Sequence, residues 1–224
     1  MADEGDGRRH SKPLSADLVT DPLEKAERES ANALRQFDRG IEIIKQHVED
    51  GRPFKLRPSL VLALQREALD GLSIYAGNYR PAGIAIEGSK HEPVGAHLVS
   101  EKLEEMCDYV NDHWDESTAL HLASYLMWRL NWIHPFADGN GRTSRILSYV
   151  VLCIRLGYLL PGMKTIPDQI AENRRPYFEA LDAADTADRS GKLDVTAMER
   201  LLGDLLATQL YSVAKLAGIK DLKG

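Results

Sequence analysis

The chain has 224 residues, a length that suits one domain with a full hydrophobic core and a small helical extension. Its 43% hydrophobic and 28% charged residues are typical of a globular protein. The formal charge of −6, without a basic stripe, argues against nucleic acid as a partner. Arg129 and Arg155 interrupt the longest apolar runs, so no segment is predicted to cross a membrane.

The number and spacing of the two cysteines indicate a cellular compartment. Cys107 and Cys153 are far apart, and Cys153 lies in an apolar helical pattern. A disulfide framework would need more cysteines at closer spacing, so both are expected to be reduced thiols in the core. With no signal peptide visible, this pattern predicts a cytoplasmic protein.

The N-terminal quarter predicts a tail followed by helices. Residues 1–20 are rich in glycine and charged residues and are expected to form a flexible tail. Residues 21–75 are expected to form N-terminal helices. Asp21 followed by Pro22 is a typical helix start, and the apolar period continues to about His47.

Apolar periodicity predicts five more helices along the chain. Their approximate ranges are 59–72, 99–113, 117–133, 143–156 and 195–216. The last of these belongs to a C-terminal helical segment, residues 191–224, that is expected to pack on a core formed by residues 76–190. These helices predict an all-α fold.

One stretch of the core has a strand pattern. In the run Ile84, Ala85 and Ile86 the β-branched residues alternate, and residues 87–89 supply a Glu-Gly-Ser turn. The pattern predicts a short β-hairpin.

Residues 134–145, with the sequence HPFADGNGRTSR, contain the parts of a phosphate site. Gly139 and Gly141 allow unusual backbone conformations, so N–H groups around Asn140 can converge on an anion. The apolar helix that follows points its positive end at this loop. Arg142 and Arg145 project from one side of that helix, and guanidinium groups match phosphate oxygens.

Two further side chains of this stretch suit chemistry on a nucleotide. A histidine titrates near neutrality, so His134 is a candidate general base. Asp138, just before the glycine turn, is a candidate Mg²⁺ ligand whose other ligands would be phosphate oxygens and waters. Separately, a Gly-Asn-Gly turn, a histidine before proline or two exposed arginines would be unremarkable. Their occurrence together favours a nucleotide site.

These residues resemble the signature of Fic-domain proteins, H-P-F-x-[D/E]-G-N-G-R-x-x-R, at every fixed position. The resemblance implies a Fic-type helical bundle in which the hairpin is a flap. Members of this family mostly transfer AMP from ATP to a hydroxyl side chain of a target protein. The phosphorylating branch has lysine in place of Gly141, so the chain is not expected to belong to that branch.

The resemblance also implies roles for single residues. His134 would be the general base and Asp138 the Mg²⁺ ligand. The loop of Gly139, Asn140 and Gly141 would hold the α- and β-phosphates. Arg142 and Arg145 would hold the β- and γ-phosphates. Phe136 would be a buried anchor that orients the loop and not a reacting group.

Two regions outside the motif resemble other parts of Fic proteins. Ile84, Ala85 and Ile86 would bind the target segment by strand addition. Residues 171–181 resemble the segment beside the adenine pocket, which makes Asn173 and Tyr177 candidates for nucleoside contacts. A polar helix start with a core aromatic residue is the alternative for this segment.

Regulation is open at this stage. Many Fic proteins carry an inhibitory helix with the pattern [S/T]-x-x-x-E-[G/N], whose glutamate pairs with the second motif arginine, here Arg145. No stretch fits completely: Glu24 is followed by Lys25, and Glu29 by Ser30. Glu24 or Glu29 is the candidate for an internal brake near Arg145. Inhibition by a separate small protein, or none, is the alternative.

The resemblance therefore implies a protein adenylyltransferase with ATP as co-substrate, Mg²⁺ as cofactor and a target protein along the flap. Two alternatives remain open. The same pocket could transfer another nucleotide or remove AMP from a modified target. The chain could also be a non-catalytic ATP-binding interaction module.

Overall fold

The computed structural model describes residues 17–218 and the backbone of His10 and Ser11. Within these residues the fold is all-α, as predicted. The eight helices are α1 (Pro22–Val48), α2 (Pro58–Leu69), α3 (Val99–Asp112), α4 (Ala119–Ile133), α5 (Asn140–Leu156), α6 (Ile166–Glu172), α7 (Arg175–Arg189) and α8 (Thr196–Leu216). Two short strands, β1 (His10–Ser11) and β2 (Ile86–Glu87), form an antiparallel pair.

Helix α1 begins where the sequence predicts. The Asp21 side chain accepts hydrogen bonds from the N–H groups of Leu23 and Glu24 and so caps the first turn. Pro22 follows at the first helical position, where its missing N–H costs nothing. The helix then runs for 27 residues along one side of the molecule.

Helices α4 and α5 form the centre of the core and pack against each other along their length. Leu126, Phe136 and Val150 have no exposed surface. Burial of each such side chain is worth about 1.5–3 kcal/mol. Helix α4 therefore delivers residue 134, and α5 starts at residue 140, from two rigid supports.

Helix α1 crosses α5 at a glycine. A Cβ atom on Gly40 would lie 2.8 Å from Cδ1 of Ile146 and 3.3 Å from Cγ2 of Val150. Only a residue without a side chain allows this close approach, so Gly40 sets the distance between the two helices. The N-terminal half of α1 then lies beside the start of α5.

Helices α6 and α7 were not assigned from the sequence, although their start signals are present. Thr165 and Asp168 form a reciprocal capping box at the start of α6, with a proline between them. Helix α7 is fixed to α4 by a buried bond from Trp128 Nε1 to Asp185 Oδ1, 2.9 Å long. Helix α8 packs on α7, α4 and α6, which closes the bundle.

The structure corrects the predicted tail. The residues between 17 and 20 are not a flexible extension: the Leu18 N–H donates to Leu72 O over 2.9 Å, and Val19 is 7% exposed. These contacts form because α2 ends at Leu69 and exposes apolar residues that Val19 covers. The rest of the predicted tail, apart from β1, lies outside the described residues.

The structure also corrects the predicted hairpin. The turn after β2 forms, with Gly88 at φ 74° and a Ser89 N–H to Ile86 O bond. The chain beyond it does not return as a strand, because the His91 ring bonds Trp132 O and draws the segment towards α4. The partner of β2 is β1, from the distant N-terminal region.

Both cysteines are buried and unpaired, as predicted. Burial raises the pKa of the Cys107 thiol to about 12 and that of the Cys153 thiol to about 11. In the part of the chain that the structure describes, every helix is too short or too polar to span a bilayer.

Substitutions at two helical glycines, Gly40 and Gly203, are expected to change stability in opposite directions. Gly40→Val should lower the free energy of unfolding by about 1–3 kcal/mol, because the added atoms overlap Ile146. Gly203→Ala should raise it by about 0.5–1 kcal/mol, because its Cβ would meet only Leu120 Cδ1 at 3.9 Å. Urea denaturation of both variants measures this; equal effects would contradict the packing argument.

Candidate functional site

His134 lies at the C-terminal end of α4 in a left-handed conformation, φ 52° and ψ 57°. It is the only non-glycine residue with positive φ that the described ranges contain. Pro135 disfavours a further helical residue, and the His134 N–H still bonds Leu130 O at 2.9 Å. Such conformations cost energy and concentrate at functional sites.

The His134 ring has a defined orientation. The residue is 3% exposed, and Nδ1 lies 3.2 Å from the backbone oxygen of Asn131. A carbonyl only accepts hydrogen bonds, so Nδ1 carries the proton and the basic lone pair belongs to Nε2. This tautomer suits a general base.

Arg80 joins the flap to the motif, a role that sequence reasoning missed. Its Nε donates to His134 O over 2.7 Å, and its backbone N–H donates to Pro135 O over 2.9 Å. Nη1 donates to Ala82 O and Nη2 to Val94 O, so one guanidinium holds both ends of the segment 82–94. Arg80 is 3% exposed, and burial lowers its pKa.

The Asn140 side chain locks the loop between α4 and α5. Its Oδ1 accepts from the Phe136 N–H at 3.0 Å, and its Nδ2 donates to Phe136 O at 2.8 Å. The Phe136 ring has no exposed surface and lies 6.4 Å from the Tyr79 ring, centroid to centroid. The Asn140 side chain therefore fixes the shape of the loop, while the Asn140 backbone begins α5.

The two motif glycines have different structural roles. Gly139 has φ 84°, and a Cβ there would lie 2.6 Å from Leu69 Cδ2, so no other residue fits. Gly141 is helical, and the expectation of an unusual backbone there was wrong. A Cβ at Gly141 would instead meet Arg145 Nη1 at 3.3 Å, so this glycine makes room for the guanidinium.

Helix α5 starts at this loop, and its first internal bond runs from the Thr143 N–H to Gly139 O. The N–H groups of residues 140–142 precede that bond and lie at the positive end of the helix. The N-cap residue of α5 is Gly139, which has no side chain to cap the helix. The arrangement is therefore suited to an anion.

Arg142 lies between two carboxylates. Its Nη2 donates to Asp138 Oδ2 at 2.9 Å, and its Nη1 is 4.0 Å from Glu29 Oε1 on α1. The other Asp138 oxygen accepts from the Gly139 N–H. Asp138 is 36% exposed at its side chain, so solvent reaches the ion pair.

Arg145 faces a cavity of about 720 Å³ between α1, α5 and α6. Burial lowers the pKa of Arg145, and the charges of Arg174 and Arg142 lower it further. The far walls are mostly apolar; the lining includes Leu34, Phe37, Ile146, Met163 and Thr165. The cavity thus has one cationic end and a less polar body, as a nucleotide requires.

The structure does not bring Asn173 and Tyr177 to this cavity. Tyr177 is 2% exposed, and its hydroxyl accepts from Asn131 Nδ2 at 2.8 Å. Asn173 is exposed at the C-terminal end of α6. Tyr177 is therefore a core residue that ties α7 to α4, next to the backbone group that orients His134.

The two candidate brake residues lie in different surroundings. Glu24 Oε1 accepts from Arg28 Nη2 at 3.3 Å on the exposed side of α1. Glu29 is the one beside the motif, but it lies against Arg142 and not against Arg145 as expected. Ser30 and Ala33, on the same helix, line the cavity that Arg145 faces.

The predicted flap residues alternate in burial next to this site. Ile84 is half-buried, Ala85 is exposed, and Ile86 is 5% exposed. His91 Nε2 lies 2.7 Å from Trp132 O, two residues before the histidine of the motif. The segment is therefore fastened next to His134 through Arg80, and to the last turn of α4 through His91.

In the described residues, fold and site together define an all-helical protein with a loop suited to an anion between its two central helices. Residues 55–152, which include the flap segment and the motif, form a domain that matches the family model described as Fic/DOC family.

Relatives and solved structures agree with this assignment. A protein adenylyltransferase fic-1 from Caenorhabditis briggsae is 31% identical over 57% of this chain and 24% of its own length. A protein adenylyltransferase Fic from Drosophila willistoni is 30% identical over 66% of this chain and 29% of its own. The chain thus spans under a third of these relatives.

Among solved structures, a Fic-domain-containing signaling protein from Bacteroides thetaiotaomicron superposes with a TM-score of 0.69. The two sequences are 23% identical, and the superposition covers 92% of this chain and 78% of the Bacteroides chain. Fic-1 from C. elegans superposes with a TM-score of 0.65 at 20% sequence identity. This superposition covers 90% of this chain and 56% of the Fic-1 chain. These likenesses confirm the predicted fold.

The Arg80 contacts predict a local effect on the flap. Arg80→Lys should lower the free energy of unfolding by about 1–3 kcal/mol, because a single ammonium cannot serve the carbonyls of Ala82, Val94 and His134 together. Hydrogen exchange should rise in residues 82–94 and 134–139.

Arg155→Lys is the matched control. Arg155 also donates to three carbonyls, those of Trp114, Asp115 and Ser117, on another side of α5. This variant should lose stability without faster exchange in the flap. Flap exchange that is unchanged in Arg80→Lys would contradict the role assigned to Arg80.

Proposed function

We propose that this protein is an adenylyltransferase that transfers AMP from ATP to a serine, threonine or tyrosine hydroxyl of a target protein. The observation that supports this best is a cavity of about 720 Å³ lined by Arg142 and Arg145, on the first turns of the helix that follows the loop beginning at His134. The names of the fic-1 and Fic relatives support the same reaction.

The reaction is an in-line attack at the α-phosphorus of ATP. The target oxygen forms the new O–P bond while the bond from the α-phosphorus to the α–β bridging oxygen breaks, and pyrophosphate leaves. Nε2 of His134 takes the hydroxyl proton, because Nδ1 already donates to Asn131 O. The protein contributes position and charge, which dominate phosphoryl-group chemistry.

Phosphates bind at the N-terminal end of α5. The backbone N–H groups of Gly139, Asn140 and Gly141 contact the α- and β-phosphates. Arg142 and Arg145 hold the β- and γ-phosphates by charge-assisted hydrogen bonds. The expected nucleoside contacts of Asn173 and Tyr177 are not part of this proposal, since the cavity walls come from α1 and from residues 162–171.

Asp138 is the proposed Mg²⁺ ligand, and its surroundings fit this role. Its carboxylate is partly exposed and already faces a cation, the Arg142 guanidinium. A single carboxylate supplemented by phosphate oxygens and waters is a common Mg²⁺ environment. Bound Mg²⁺ would neutralise charge on the phosphates. Arg142 would then turn from Asp138 towards a phosphate.

The target segment adds to the edge formed by Ile84, Ala85 and Ile86. Strand addition uses backbone hydrogen bonds, so it aligns a hydroxyl without strict demands on sequence. Arg80 keeps this edge at a fixed distance from His134 through its bonds to both segments. A cytoplasmic location is proposed from the two unpaired buried thiols.

His134→Ala should abolish AMP transfer but preserve ATP binding. A general base contributes about 10²- to 10⁴-fold in rate, whereas the phosphate contacts do not involve the imidazole. The measurement is transfer of label from α-labelled ATP with Mg²⁺ in cell lysate, together with calorimetric ATP binding. Transfer that persists in His134→Ala would remove the histidine from this role.

His121→Ala is the matched control. It lies on α4 thirteen residues earlier, about 20 Å along the helix axis, and bonds Glu199 and Tyr109 instead of the motif. Its loss should cost stability but not transfer. ATP binding without label on any protein would favour another nucleotide donor, AMP removal or a non-catalytic module.

Glu29 is the proposed internal brake, through Arg142. Its carboxylate lies 4.0 Å from Arg142 Nη1 and competes with phosphate for that guanidinium. Glu29→Gln should raise ATP affinity about two- to fivefold, the range of an exposed pair worth roughly 0.4–1 kcal/mol.

Glu24→Gln tests whether charge alone explains such an effect. It removes the same charge from the same helix, but its partner is Arg28 and not a motif residue. Calorimetric titration with ATP measures the affinity of both variants and shows whether only Glu29→Gln binds ATP more tightly. Equal affinities for Glu29→Gln and the unaltered protein would exclude the brake and favour inhibition by a separate small protein, or none.

A further inference from the structure

A buried amide lies in the last turn of α4, among apolar residues. Asn131 is 6% exposed and stands between Leu130 and Trp132 in the sequence. Burying an amide in such surroundings costs free energy unless its hydrogen bonds are made inside the protein. The bonds that Asn131 makes therefore show what this polar residue contributes to the fold and to the site.

The Asn131 side chain joins three helices. Its Nδ2 donates to Met127 O at 2.7 Å, one turn earlier on α4. The same nitrogen lies 2.8 Å from Ser144 Oγ on α5 and 2.8 Å from the Tyr177 hydroxyl on α7. An amide nitrogen carries two hydrogens, so these three oxygens share them. Asn131 thus links α4 to both α5 and α7 within a few ångströms.

Both hydroxyl groups lead on to Arg145. Ser144 Oγ donates to Gly141 O over 3.1 Å, and Arg145 Nη1 packs over Gly141, 3.3 Å from the position of a Cβ there. The Tyr177 hydroxyl lies 3.3 Å from Ser144 Oγ and contacts the Arg145 side chain. Two groups against which the Arg145 guanidinium packs are therefore held by bonds that start at Asn131.

The backbone of Asn131 serves the other end of the site. Asn131 O lies 3.2 Å from Nδ1 of His134 and fixes the orientation of that ring. One residue therefore contacts the proposed general base through its carbonyl and the surroundings of Arg145 through its side chain. Buried hydrogen-bond networks of this kind make the groups that they connect rigid.

We propose that Asn131 is a positioning residue that holds Arg145 in a fixed place relative to His134. This inference rests on the proposed adenylyltransferase activity, in which Arg145 holds the terminal phosphates of ATP. Tyr177 is the second positioning residue, and it acts through Arg145 and not by contact with the nucleotide. Its absence from the cavity wall agrees with this role.

The test compares Asn131→Leu, Tyr177→Phe and the double variant by calorimetric titration of the purified full chain with ATP and Mg²⁺ and, separately, with AMP. Leucine is close to asparagine in size but makes no hydrogen bond. Tyr177→Phe removes a single oxygen atom and keeps the ring, so the core stays packed in at least one of the variants. AMP transfer is measured in parallel with α-labelled ATP in cell lysate.

Two matched controls remove a buried hydroxyl group from α5 without touching this network. Ser148→Ala removes a bond to Ala123 O of 2.8 Å, one turn after Ser144. Tyr149→Phe removes bonds to Leu160 O and to the Gln209 side chain. Both variants should bind ATP as the unaltered protein does.

ATP affinity should fall about three- to tenfold in Asn131→Leu and in Tyr177→Phe, the range of one hydrogen bond. The double variant should lose no more than the weaker single variant, because both substitutions break the same link. AMP affinity should stay unchanged, since AMP lacks the phosphates that Arg145 holds. Saturating ATP should restore AMP transfer, because Asn131 O is present in every variant and still orients His134.

Equal losses of ATP and AMP affinity would overturn this inference, because Tyr177 would then contact the nucleoside or the site would be disturbed as a whole. Unchanged ATP affinity in both single variants would also overturn it, as would the same loss in the two controls. In each of these cases, AMP transfer by the unaltered protein would leave the proposed function intact. An unaltered protein that neither binds ATP nor transfers AMP would overturn the proposed function and this inference together.

Discussion

The interruption between α4 and α5 is the constraint on which the site depends. Both helices are packed tightly in the core, so neither can shift. The six residues between them must therefore turn within a short distance. Pro135 forces the end of α4, and Gly139 permits the start of α5 at φ 84°. His134 accepts a left-handed conformation because both neighbouring helices impose it. The packing energy of the bundle thus maintains a strained backbone at the residue proposed as the general base.

Opposite charges match the two motif arginines of this turn unequally. Arg142 is matched by Asp138 and Glu29, whereas Arg145 lies beside the positive charges of Arg142 and Arg174 and faces a largely apolar cavity. A guanidinium in such surroundings gains strongly from a phosphate, because little water competes for it. The two motif arginines are therefore unequal. In the proposed binding mode, Arg142 exchanges its carboxylate partners for a phosphate. Arg145, which already contacts Tyr177, adds a phosphate to that contact.

The sequence was sufficient for features that depend on local signals. The Asp21 cap, the Gly157 C-terminal end of α5 and the burial of Phe136 follow from residue type and spacing. It was insufficient where contacts come from distant segments. Nothing near Arg80 in the chain indicates that it bonds His134 O, and nothing near Ile86 indicates that its partner is Ser11. The position of Tyr177 could not be predicted for a related reason, since an aromatic residue at a helix start is compatible with either a pocket wall or the core position that it occupies.

The pairing of β1 with β2 also bears on how any target would be selected. An edge strand exposes unpaired backbone groups and accepts other strands with little regard to sequence. A segment of the same chain is present at a high effective concentration, so it competes with every external segment for that edge. Selectivity among targets would then come less from side-chain pockets than from the ability to displace β1. A two-residue pairing between β1 and β2 suits that purpose better than a long one, because it covers the edge and can still be displaced by a better partner.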